Sequence, residues 1–209
     1  MNSPDLDDYQ DRGHADDIAA TAARLVVEEG LEYGPAKRRA AKQLGLSKRG
    51  HLPDNDLLEA AVFEYLAVFC ADTQPQELAT LRRLAALWME RLQEFRPHLA
   101  GAIWRGTATR LNDIHLQLYC DDSKSAEIAL LNKGMDYDVG SVPGPRGNMV
   151  DCLSLTVDCP ELNEPIGLHL SILDYDDLRG ALKGDGKGKT DRGDLNALRA
   201  LIDPTATTP

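Results

Sequence analysis

The chain has 209 residues and a formal charge of −11 at pH 7, with 34 acidic residues against 23 basic ones. That balance argues against a dedicated duplex-DNA binder, which gains most of its affinity by setting lysines and arginines on phosphates; a single nucleotide needs only a local basic site and stays within reach. The length suits one good core or two small ones.

Cys70, Cys120, Cys152 and Cys159 form no CxxC pair and lie in or beside apolar segments. They read as reduced, mostly buried thiols, with a Cys152 to Cys159 bridge across a hairpin as the lesser alternative. The first residues, Met1 to Asp8, are acidic and carry no apolar signal core, and no apolar run approaches bilayer length. A soluble, cytoplasmic protein without membrane partners is the expectation.

Residues 1–15 are polar and acidic, with Pro4 and Gly13, and are expected to be a flexible tail. From Asp16 the pattern turns helical, with Ile18, Ala22, Leu25 and Val26 at three- and four-residue spacing up to Gly30. A second helix is predicted from Pro35 to Gly45, with Lys37, Arg38, Arg39 and Lys42 on its surface. Its end, Ala-Ala-Lys-Gln-Leu-Gly-Leu-Ser (40–47), has the look of a helix-turn-helix centre. Residues 48–55, Lys-Arg-Gly-His-Leu-Pro-Asp-Asn, are a breaker-rich loop where a recognition helix should stand. A helix ending at a glycine, with a solvated basic face, is the better reading.

Asp56 followed by Glu59 has the form of a capping box and opens a third helix, with Leu58, Val62, Tyr65, Leu66 and Phe69 as its apolar stripe. After Asp72 to Pro75 a fourth helix is predicted to about Phe95, with Leu78, Leu81, Leu84, Ala85, Trp88 and Leu92 on one face. The aromatics fall on the buried stripes and read as core. Residues 16–95 thus form a helical region that Arg96-Pro97 ends.

Gly101 to Asp122 reads as a short apolar strand into Trp104, a turn of small and polar residues from Arg105 to Asn112, and an alternating strand from Asp113 to Cys120. This stretch resembles the signature of the nucleotidyltransferase fold superfamily, approximately G-S-x-x-x-G-T-x-x-x-x-S-D-I-D-L in its minimal members, and lies on it without a gap. Gly101 falls on the first glycine, Arg105-Gly106-Thr107-Ala108 on the turn, and Asp113-Ile114-His115-Leu116 on the Asp-Ile-Asp-Leu strand. Ala102 stands where the family has a phosphate-holding serine, and His115 where it has a second metal-binding carboxylate.

Downstream, Ser125 to Lys133 reads as a short helix ending at Gly134, Asp136 to Val139 as a brief extended piece, and Val142 to Asn148 as a loop. Two more alternating strands come next. Leu153, Leu155 and Val157 oppose Cys152, Ser154 and Thr156; Ile166, Leu168, Leu170 and Ile172 oppose Gly167, His169 and Ser171. Ile114, Leu116 and Leu118 oppose His115, Gln117 and Tyr119 in the same way. Three strands with one greasy and one polar face predict an α+β fold: a helical first half, then a small mixed or antiparallel sheet covered by helices on one face, spanning 96–203.

The segment Arg179 to Arg192 is basic and glycine-rich, and Lys183, Lys187 and Lys189 in it could hold phosphates. It lacks Walker spacing and the strand that should precede a P-loop. A surface loop is the plainer reading; beside an open sheet face it becomes a phosphate contact. Asp194 to Ile202 is a closing helix with Leu195, Leu198 and Leu201 on its buried side, and 204–209 is tail.

The resemblance implies a nucleoside triphosphate, two divalent cations held by carboxylates on neighbouring strands, and transfer of the nucleotidyl group to an acceptor. Carried over residue by residue, Asp113 and His115 hold the metal and act in catalysis, and His169 completes the site, placed by strand order and parity. Gly101 and Gly106 let the backbone approach the phosphates, Arg105 adds charge, and Thr107 donates a hydroxyl. One carboxylate and two imidazoles are a poor magnesium site; the histidines suit manganese or zinc better. Three readings stay open: a divergent transferase using fewer metals, another metal, or Asp121, Asp122, Asp174 or Asp176 nearby; an inactive member that binds a nucleotide, protein or RNA; and an independent two-His-one-carboxylate metal site. The acceptor (small molecule, protein or RNA), base preference and oligomeric state are not fixed by the sequence.

Overall fold

A computed structural model describes residues 4–46, 52–122, 124–178 and 190–204. The fold is α+β, a helical first half and then a six-stranded mixed sheet. The chain divides into two compact units, 1–75 and 76–209.

The first unit holds α1 (Pro4–Glu29), α2 (Tyr33–Gln43) and α3 (Asn55–Phe69). Residues 4–15, expected as a tail, are helical in α1. Pro at a first helical position and acidic residues just after it suit a helix N-terminus, and polar composition alone hides that signal. Ile18, Ala22, Leu25 and Val26 are buried as their spacing predicted, against Ala36 and Ala40 of α2 and Leu58, Val62 and Leu66 of α3. The cap of α3 is Asp54, whose carboxylate accepts from the Leu57 N–H at 2.8 Å, not Asp56 of the expected box. Phe69 is 68% exposed and stacks obliquely on Tyr65, so the aromatic end of that stripe is not core. Residues 47–51, the continuation of the helix-turn-helix phrase, lie outside the described residues.

The second unit carries α4 from Gln76 onward (α4 spans Gln74–Arg91), β1 (His98–Ala100), α5 (Gly101–Arg105), β2 (Ile114–Cys120), α6 (Lys124–Asn132), β3 (Asp138–Pro143), β4 (Met149–Cys159), β5 (Glu164–Asp174), β6 (Arg192–Gly193) and α7 (Leu195–Ile202). The strand order is β3-β4-β5-β2-β1-β6. Only β2 and β5 run parallel; the other neighbours are antiparallel.

The greasy face is as the alternation predicted. Ile114, Leu116, Leu118, Leu153, Leu155, Val157, Ile166, Leu168, Leu170 and Ile172 are all buried in one core with Leu81, Ala85, Trp88 and Met89 of α4, Ile103 of α5, Leu130 of α6 and Leu198 of α7. Leu201, expected on the buried side of the last helix, is 40% exposed. All four cysteines are free thiols, so no Cys152 to Cys159 bridge forms. Among the described residues, no helix is long and apolar enough to cross a membrane.

The signature stretch departs from the expected strand at one point. The strand stops at Ala100, and Trp104 sits in the five-residue helix α5. The switch is at Gly101, whose φ of +77° lies in the left-handed region, where a side chain is strained. That turn folds α5 back and returns the chain into β2 antiparallel to β1.

Candidate functional site

Asp113 leads directly into β2, and its carboxylate spans the gap to β5. One oxygen accepts the Gly167 N–H at 3.1 Å and the other lies 3.0 Å from His169 Nε2. Gly167 is what permits the approach: a Cβ there would come within 2.5 Å of the Asp113 carboxylate. On its other side, His169 Nδ1 lies 2.9 Å from the Ser154 hydroxyl of β4.

The parallel register of β2 and β5 puts His115 directly opposite His169. The two rings stack with centroids 4.9 Å apart and planes 20° apart. Gly101 lies against the His115 ring, so that a Cβ there would rest 3.5 Å from it. Asp113, His115 and His169, chosen from sequence by motif and by strand parity, therefore stand together on the polar face.

Electrostatics derive from this geometry. The Asp113 carboxylate is the main cause that pushes His169 up to about 9, with the Cys152 thiol a smaller contributor and burial opposing both. The His169 hydrogen bond holds Asp113 below its ordinary value, against burial, with the Gly167 N–H and the His115 charge helping. His169 is thus an imidazolium at neutral pH, donating through both nitrogens to Asp113 and Ser154. The line Asp113–His169–Ser154 has the connectivity of a serine triad, but an imidazolium cannot take the Ser154 proton, so it is a charge-pairing line and not a nucleophile relay.

The same facts bear on a metal. Among the described residues, no three His, Cys, Asp or Glu side chains are grouped as a metal ion would require. Both Asp113 oxygens and both His169 nitrogens are engaged, and stacked rings turn faces, not lone pairs, toward each other. As arranged, the set does not fit magnesium, which wants several oxygen ligands.

The remaining sequence-selected residues scatter. Gly106 closes α5 at φ +89°, and Arg105 is half-buried in the last turn of that helix. Thr107 is 1% exposed and its hydroxyl has no hydrogen-bond partner among the described residues, so it presents nothing to a ligand. Lys183, Lys187 and Lys189 lie outside the described residues. Asp121, Asp122 and Asp174 line a separate cavity of about 490 Å³ at the other end of β2 and β5.

Sequence reasoning passed over Ser154 and Gly167 as site residues, although strand parity already placed both on the polar face. It also passed over Asp136 and Asp138, which together with Asp113, His169, Ser154 and Thr156 line a cavity of about 520 Å³. Compared with known proteins, the chain matches no family model, no curated protein and no solved structure.

Proposed function

We propose that this chain is a nucleotidyltransferase-like protein that binds a nucleoside triphosphate over the polar face of its sheet. One arrangement supports the reading: the ungapped signature from Gly101 to Leu116 turns at Gly101 and brings Asp113 and His115 beside His169 on the adjacent parallel strand. There the His169 imidazolium, whose two N–H groups are held by Asp113 and Ser154, would act on incoming phosphates through its charge, with the His115 ring stacked beside it. Lys183, Lys187 and Lys189 belong to the proposal as further phosphate contacts. A scaffold of this kind would pass the nucleotidyl group to an acceptor on a small molecule, protein or RNA.

The donor set favours a second reading on the same face. Asp113 and His169 are committed to each other and not to a metal, and in this reading the fold serves as a nucleotide-binding or protein/RNA interaction module without turnover. Calorimetric titration of the metal-stripped protein with each nucleoside triphosphate, in turn with magnesium, manganese and zinc, tests binding. Labelled nucleotide then separates the readings. Label passed to an acceptor supports transfer, binding without transfer supports a nucleotide-binding module, and no binding under any condition overturns every nucleotide reading and leaves a protein/RNA interaction module.

A further inference from the structure

The polar face is electrostatically lopsided. Across the sheet, one row of cross-strand partners runs Arg192, Ala100, His115, His169, Ser154, Asp138, from β6 to β3. Its β3 end carries Asp138 and the neighbouring Asp136 on the cavity wall, which repel a phosphate. Its β6 end carries Arg192.

The Arg192 side chain lies on the same face as His115, since cross-strand partners share a face. Its Nη1 donates to Gln117 Oε1 at 2.6 Å and, more weakly, to the Tyr119 hydroxyl at 3.4 Å. Both acceptors are neutral, and among the described residues no carboxylate pairs with it. Asp177, whose charge reaches Tyr119, is itself ion-paired to Arg146. A half-buried guanidinium with no ion pair among the described residues retains donors and charge for an anion.

Its position is held firmly. The Trp104 indole N–H donates to the Thr190 carbonyl at 2.7 Å, and the same ring fills the space where a Cβ on Gly193 would fall. Trp104 thus grips the chain on both sides of Arg192 and ties it to α5, the helix that opens at Gly101. Tyr119, expected to be open on the polar face, is fully buried because Arg192 and His98 cover it.

From this geometry we infer that Arg192 is the phosphate anchor of the site, binding the phosphate chain of a nucleotide at the β6 side of His115. The inference rests on the nucleotide reading proposed for this face and adds the place and orientation of the phosphates. They lie toward Arg192, away from Asp136 and Asp138.

The test is calorimetric titration of the full chain with inorganic tripolyphosphate, the four nucleoside triphosphates and adenosine. The expected result is that Arg192→Met, which keeps the stem and removes the charge, weakens tripolyphosphate and triphosphate binding by about tenfold to a hundredfold, the range for hydrogen bonds to charged groups. Arg192→Lys recovers part of the loss, adenosine binding does not change, and the salt dependence of triphosphate binding flattens. A merely structural role for Arg192 would weaken adenosine and triphosphate alike. Wild-type triphosphate binding that His169→Ala removes and folded Arg192→Met leaves intact overturns the anchor alone. Absence of any wild-type binding overturns the anchor together with the nucleotide reading.

Discussion

The Asp113–His169 pair can be tested without any ligand by Asp113→Asn. The carboxylate is the main support of the His169 proton, so its loss lets the imidazole fall from about 9 toward an ordinary value near 6.5. At about 1.36 kcal/mol per unit, that difference sets a ceiling of about 3 kcal/mol on the pairing. Asp113 is 48% exposed, so solvent screening reduces its share of stability to about 1 kcal/mol. The sign is fixed by linkage. The raised His169 value gives stability that is full below about pH 6.5 and is lost as pH rises through about 9. The lowered Asp113 value gives stability that is present above its ordinary value near 3.8 and is lost as pH falls below it. The wild type therefore exceeds Asp113→Asn most between about pH 4 and pH 6.5, and the difference fades toward pH 9. Proton NMR titration of the His169 ring reads the pKa directly, and urea melts across pH read the stability. A wild-type His169 that titrates near 6.5, or one that Asp113→Asn leaves unmoved, would refute the pairing.

Gly167→Ala should reproduce the same fall in the His169 pKa by pushing the carboxylate off β5, at about 1 to 3 kcal/mol of overpacking cost, visible in the same titration and in thermal melts. In the first unit, Asp54→Ala should destabilise by about 1 kcal/mol through loss of the cap on Leu57, whereas Asp56→Ala should have a smaller effect; denaturant unfolding monitored by circular dichroism compares them.

The sheet was legible because one face of each central strand is buried. Alternation at Ile114 to Leu118, Leu153 to Val157 and Ile166 to Ile172 reports that burial directly. His169 could be set beside His115 on the same ground, since parity decides the face and the register then makes them partners. What was illegible depends on partners distant in sequence. Ser154 and Gly167 show nothing in themselves; their roles come from the carboxylate and ring that β2 and β5 bring to them. Trp104 reads as strand in the sequence because its apolar neighbours fit either state, and the decision lies in the left-handed turn at Gly101. Tyr119 is buried by His98 of β1 and by Arg192 of β6, a two-residue strand too short to leave a pattern. Asp54 competed with Asp56 for one cap two residues apart, a difference that side-chain geometry settles and sequence spacing does not.

Nucleotide binding on the polar face is tested most directly by calorimetric titration of the metal-stripped chain with each nucleoside triphosphate, alone and with magnesium, manganese or zinc, repeated on His115→Ala and His169→Ala. The expected result is wild-type binding that each substitution weakens at least about tenfold, the loss of one charged or polar phosphate contact, while both variants keep their fold. Equal binding by both variants and the wild type, or none by the wild type under any condition, would contradict it.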